Sequence, residues 1–120
     1  MRLTFVQLRV FTSDFGDLGL GDVELRALEN ELLNRPDVGR IIPGAGGMRK
    51  MRFAPPSWHR GKSGSVRVCY AHFPEVAALY LLAIYSKHDA EDLSQADKNY
   101  FRKVLESYRR WLKFKPGVLP

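Results

Sequence analysis

Apolar positions along the chain follow two rhythms, and the switches between them mark out the elements. From 3 to 11 the pattern alternates loosely: Leu3, Phe5, Leu8 and Val10 are apolar, with Gln7 and Arg9 among them. That period of two predicts a strand. Residues 12–21, rich in Gly and Asp, predict a loop. Asp22 then predicts a helix N-cap, with Glu24 in the first turn. Leu25, Leu28, Leu32 and Leu33 fall on one helical stripe, which Pro36 closes.

The second half returns to strand periodicity. Residues 41–47 predict a turn-rich connection and 48–53 a short strand. Residues 54–64 predict a loop, 65–73 a strand and Pro74-Glu75 a turn. Residues 76–86 form the most apolar stretch and predict a central strand buried on both faces. Ser94 predicts the N-cap of a last helix, with Asp97 in the capping-box position. Phe101, Val104, Leu105, Tyr108, Trp111 and Leu112 give its apolar stripe; Lys98, Arg102, Lys103, Arg109 and Arg110 lie around the other side. Strands joined by short connections pair antiparallel. The expectation is an α+β fold: one domain over 1–120, with an antiparallel-rich sheet of about four strands, an N-terminal helix and a C-terminal helix.

Charge adds a location to this outline. Residues 41–70 hold six Lys and Arg and no Asp or Glu, so this segment alone equals the whole net charge of +6. Clustered cations of this kind neutralise phosphates, whereas scattered ones mainly keep a protein soluble; the plainer reading is a solvated basic loop. The single cysteine, Cys69, excludes an intrachain disulfide and a cysteine metal cluster. His59, His72 and His88 lack metal-ligand spacing, so neither a metal nor another cofactor is expected. No apolar run reaches the ~20 residues of a membrane span, and no signal peptide follows Arg2. The expected setting is cytoplasmic, away from any membrane.

The strand readings gather the cations. Period two places Lys50 and Arg52 on one face of 48–53, with Met51 and Phe53 facing the core. If Val66 and Val68 also pack inward, Arg67 joins the cationic pair on the open face of the sheet. Tyr85 and Lys87 close the last strand at its edge, and the Gly-flanked Lys62 can swing over it. Such crowding is self-repelling unless a polyanion offsets it. The alternative is that these are ordinary exposed strand residues.

The chemistry suggested is RNA cleavage, in which a 2′-hydroxyl attacks the adjacent phosphorus. Cations stabilise the charge on the phosphoryl oxygens, a lysine crowded by cations can accept the proton, and an acid protonates the leaving 5′-oxygen. The candidates for this work are Lys50, Arg52, Arg67, Tyr85 and Lys87, with Tyr85 able to stack on a base or to help with proton transfer. Arg49, Arg60, Lys62 and His88 are expected to touch RNA around them. His88 could serve as an acid or be simply a surface histidine.

Several blocks resemble the RelE/HigB superfamily of bacterial toxins: 25–36, the I-P-G-A-G-G-M-R-K-M-R run of 42–52, G-K-S-G-S-V-R-V-C-Y at 61–70, Y-L-L-A-I-Y-S-K at 80–87 and D-L-S at 92–94. The resemblance implies a HigB-like toxin of a type II toxin–antitoxin pair that cuts mRNA in the ribosomal A site without metal. Its implied partners are mRNA, the 70S ribosome and a cognate antitoxin, expected to be of helix-turn-helix type. It places the working residues at Lys50, Arg52, Arg67, Tyr85 and Lys87, with Lys62 in the basic loop. The chain departs from the family's Y-A-K-N-E at Ser86, His88 and Asp89, and its 55–59 loop is long. The alternatives are an RNA- or ribosome-binding module of the same fold without cleavage, and a scaffold that binds a protein partner.

Overall fold

The computed structural model describes residues 2–58, 64–87 and 92–113. Strand β1 (Thr4–Gln7) leads into α1 (Arg9–Asp17) and α2 (Asp22–Asn34); β2 (Arg40–Ile41), β3 (Arg49–Phe53), β4 (Val66–Phe73) and β5 (Ala78–Ser86) follow, and α3 (Gln95–Lys113) closes the order. The five strands make one mixed sheet in the order β1-β5-β4-β3-β2. β2 to β5 pair antiparallel, and β1 lies parallel to β5.

This corrects the expected four-strand sheet in two places. The first strand stops at Gln7, because Phe11 and Phe15 repeat at the helical spacing i, i+4, stack at 5.5 Å and are both buried. That pairing turns 9–17 into a helix where an alternating strand and a loop were expected. At the other side, Arg40-Ile41 adds a two-residue edge strand where a connection was expected. The apolar β5 is second in the sheet and β4 is central, since β1 covers β5 on its outer edge. Gly21, not Asp22, is the N-cap of α2: Glu24 Oε1 accepts the Gly21 N–H at 2.8 Å. Ser94 caps α3 as expected, its Oγ accepting the Asp97 N–H at 3.0 Å.

Helices cover both faces of the sheet. On one side α1 and α2 bury Phe11, Phe15, Leu28 and Leu32 against Met51, Phe53, Val66, Val68, Tyr70, Leu79 and Leu81. On the other, Phe101 and Leu105 of α3 pack on Met48, Cys69, Ala71, Phe73, Leu82 and Ala83. The second face is therefore half roofed by α3, where an open face was expected. The uncovered part, at the end carrying Arg52 and Arg67, is where the cations stand. None of the helices among the described residues is long and apolar enough to cross a membrane.

A buried contact sets the register of the β3 edge. Gly39 donates its N–H to Tyr70 Oη at 2.9 Å, deep in the core. A Cβ on Gly39 would lie 2.9 Å from the Tyr70 ring and 3.0 Å from the Lys50 carbonyl oxygen. Gly39→Ala is therefore expected to cost about 1–3 kcal/mol through overpacking. Urea denaturation checks this, and an unchanged midpoint would show that the turn relaxes freely.

Candidate active site

The cations are brought together by strand register. Arg52 of β3 pairs with Arg67 of β4, which pairs in turn with Tyr85 of β5. Opposed residues of antiparallel strands share a face, so the three side chains form one row across three adjacent strands, spaced by about 4.8 Å per strand. The next row on the same face is Arg40, Lys50, Cys69 and Ala83.

A β-bulge makes the first row possible. The β4–β5 register pairs Tyr70 with Leu81 and Cys69 with Ala83, leaving Leu82 as the extra residue. Before it, odd-numbered Leu79 and Leu81 face α1 and α2; after it, odd-numbered Ala83 and Tyr85 face α3 and the cations. An uninterrupted β5 would have turned Tyr85 to the opposite side.

Arg40, Lys50, Arg52 and Arg67 line a cleft of about 490 Å³, with Glu31, Val38 and Met51 completing its walls. Arg52 is exposed; Arg67 is half-buried and donates from Nη1 to Ser65 Oγ at 3.2 Å. Lys50 Nζ donates to Asp92 Oδ1 at 3.3 Å, and Lys98 Nζ to Asp92 Oδ2 at 3.5 Å. Asp92 Oδ1 also accepts the Leu93 N–H at 2.8 Å. Partial burial opposes charge on Asp92, but the Leu93 N–H and the two lysines outweigh it and hold its carboxyl below the usual range. Cys69, beneath Lys50, is buried and its thiol is pushed up to about 12, so it stays protonated and inert.

Tyr85 is 8 % exposed, and its buried hydroxyl finds no hydrogen-bond partner among the described residues. Burial raises its pKa, with Cys69 and Asp92 adding to the rise and Arg67 opposing it. At neutral pH it is a phenol, a proton donor and not a phenolate base. An orphaned buried hydroxyl is unfavourable. Tyr85→Phe is therefore expected to stabilise the fold by ~1 kcal/mol, read as a higher melting temperature. A lower one would mean that the hydroxyl has a partner in solution.

The remaining expected site residues are distributed differently. Arg49 faces the other side of the sheet: its Nη1 donates to the carbonyl oxygens of Gly39 at 2.7 Å and Asp37 at 3.2 Å. It clamps the turn before β2 and stands apart from the cationic row. Lys87 is exposed one residue beyond β5. Arg60, Lys62 and His88 lie outside the described residues. Arg40, Glu31 and Asp92 belong to the site and escape the sequence reading. Asp92 reads there only as part of the lead-in to Ser94, and the β-branched Ile41-Ile42 pair beside Arg40 was the available sign of a strand. No group of three or more His, Cys, Asp or Glu able to hold a metal ion occurs among the described residues.

No family model matches the sequence. In fold, the chain is similar to the free-state structure of an arginine-to-alanine double mutant of the E. coli toxin RelE. The TM-score is 0.52, with 15 % identity over 76 % of this chain and 90 % of that one. At that identity the likeness concerns the fold alone: the chain has a RelE-like α+β fold, seen before in a bacterial toxin.

Proposed function

We propose that this chain is the toxin of a type II toxin–antitoxin pair, a HigB-like endoribonuclease that cuts translated mRNA in the ribosomal A site. The observation that carries this reading is the cross-strand row Arg52–Arg67–Tyr85 with Lys50 beside it. It gathers anion-binding forks and a further cation in one cleft, with a phenol at the end of the same strand row. Arg52 and Arg67 fork onto the non-bridging oxygens of the scissile phosphate and stabilise the charge that builds there. The 2′-oxygen bonds to phosphorus as the bond to the 5′-oxygen breaks. The Asp92 carboxylate, held by Lys50, takes the 2′-hydroxyl proton, and Tyr85 at the end of the row protonates the leaving oxygen, for which bound RNA must uncover its buried hydroxyl. The products are a 2′,3′-cyclic phosphate and a free 5′-hydroxyl. Lys87, exposed one residue beyond β5, adds positive charge toward the RNA backbone, and Arg60, Lys62 and His88, which lie outside the described residues, are further RNA contacts on this reading. The antitoxin, of helix-turn-helix type, silences the toxin by covering this face.

Inducible expression in bacteria, with mapping of cellular mRNA 5′ ends, tests the reading. The expected result is growth arrest with new in-frame 5′ ends inside translated codons. Normal growth with soluble protein and no new ends would contradict it and leave a binding module of the same fold.

A further inference from the structure

Five large hydrophobic side chains are markedly exposed among the described residues: Val10, Val23, Ile41, Tyr100 and Trp111. The three aliphatic ones stand singly on α1, α2 and β2. The two aromatics share α3, with Tyr100 58 % and Trp111 42 % exposed. At 100° per residue, Tyr100, Lys103, Ser107, Arg110 and Trp111 fall on one stripe. It lies opposite the buried Phe101, Leu105 and Leu112. Lys103, Ser107 and Arg110 are all exposed, and the stripe holds no carboxylate. Nearby Glu106 pairs with Arg102 at 3.5 Å.

Both exposed rings are buttressed from below. Tyr100 meets Phe101 edge-on at 5.3 Å. Trp111 stacks on Tyr108 at 5.8 Å with an interplanar angle of 23°. Tyr108 is in turn seated against Tyr80 at 4.5 Å and Phe73 at 5.2 Å. The rings are thus fixed platforms whose ordering is largely complete before any ligand arrives. They stand about 16 Å apart along the helix at 1.5 Å per residue, with cations between them. Aromatic faces interleaved with Lys and Arg stack on unpaired bases and hold their phosphates. A groove for a protein helix would instead present a contiguous apolar lining, whereas here exposed Lys103, Ser107 and Arg110 separate the two rings.

We propose that this stripe of α3 is a second RNA-binding surface, which stacks unpaired bases of structured RNA on Tyr100 and Trp111 while Lys103 and Arg110 hold the flanking phosphates. Because it faces away from the sheet, the RNA it takes is not the strand in the cleft. On the reading given above, on which this inference rests, that RNA is ribosomal and the stripe docks the enzyme.

The test uses the full chain. In a Trp58→Phe background Trp111 is the sole tryptophan, and its fluorescence is followed on titration with a single-stranded oligo-adenylate RNA. Saturable quenching is expected. The double variant Tyr100→Ser/Trp111→Ser, checked for unchanged helical circular dichroism, is expected to co-sediment with 70S ribosomes at least tenfold more weakly. Tyr100→Phe/Trp111→Phe, which keeps both faces, restores binding and guards against a folding artefact. Wild-type protein that binds ribosomes and cuts mRNA, with a double variant that binds equally well and an unquenched Trp111, would overturn the inference alone. A wild-type protein that neither binds ribosomes nor cuts would overturn the proposed function with it. A double variant that keeps its ribosome affinity and loses only a co-expressed antitoxin would assign the stripe to a protein and overturn the inference.

Discussion

Arg67→Ala is expected to lower the rate of mRNA cleavage by ~10²–10³, the usual loss when one preorganised donor to a developing oxyanion is removed. The effect should fall on the catalytic rate more than on ribosome binding, because Arg52, Arg40 and Lys50 remain to attract the polyanion. Stability should change little. Arg67 is half-buried, and among the described residues its side chain donates to Ser65 alone. Arg49→Ala is the matched control: it removes the same charge from the same part of the sheet but on the opposite face, where Arg49 clamps the Gly39 turn. It should loosen the fold slightly and leave cleavage near the wild-type rate. Single-turnover cleavage by the two variants, with melting curves, checks both statements. Equal loss of activity in both would show that net charge, and not the row, is what matters.

Phe73→Ala is expected to destabilise the fold by about 3–5 kcal/mol, a large part of the ~5–15 kcal/mol that holds a domain together. Phe73 is 1 % exposed at the end of β4. Its ring meets Tyr80 at 5.5 Å and Tyr108 at 5.2 Å, and the Arg109 guanidinium sits 5.0 Å from its centre. Arg109 in turn donates to the Gly46 carbonyl oxygen at 2.6 Å, which ties the turn before β3 to α3. Truncating Phe73 therefore leaves a cavity and unseats the helix that roofs Tyr85 and carries Asp92 at its approach. Activity should fall although no group near RNA has changed. Urea denaturation of the purified variant reads the loss, and an unchanged midpoint would mean that α3 is held mainly elsewhere.

Where one periodicity dominates, the chain is legible as sequence. The leucine stripe of α2, the alternation around Met51 and Phe53, and Ser94 before α3 each lead to the observed element, because each is a local preference that packing reinforces. Residues 8–17 are different. Leu8, Val10 and Phe11 suit a strand, and the decision rests on Phe15, whose burial beneath the sheet is a tertiary fact. The parallel pairing of β1 with β5 joins segments more than seventy residues apart, beyond the reach of any local pattern. The same holds at the candidate site. Lys50, Arg52 and Arg67 could be placed on one face by counting in twos, and register brings them together. That count fails at Tyr85, which joins them only through the bulge at Leu82. Asp92 meets Lys50 across 42 positions of chain, by the way α3 returns over the sheet. A segment without carboxylates in sequence is thus supplied with them in space, by Asp92 and by Glu31 in the cleft wall.

The central claim is that this cleft cuts mRNA on the ribosome. Its most direct test is to add purified chain to 70S ribosomes stalled on a defined mRNA with an empty A site, and to map the 5′ ends and end chemistry of the RNA. The account predicts a cut within the A-site codon that leaves a 2′,3′-cyclic phosphate and a 5′-hydroxyl. The cut should be absent with free mRNA and sharply reduced with Arg67→Ala. Intact mRNA on ribosomes that have demonstrably bound the wild-type protein would contradict it.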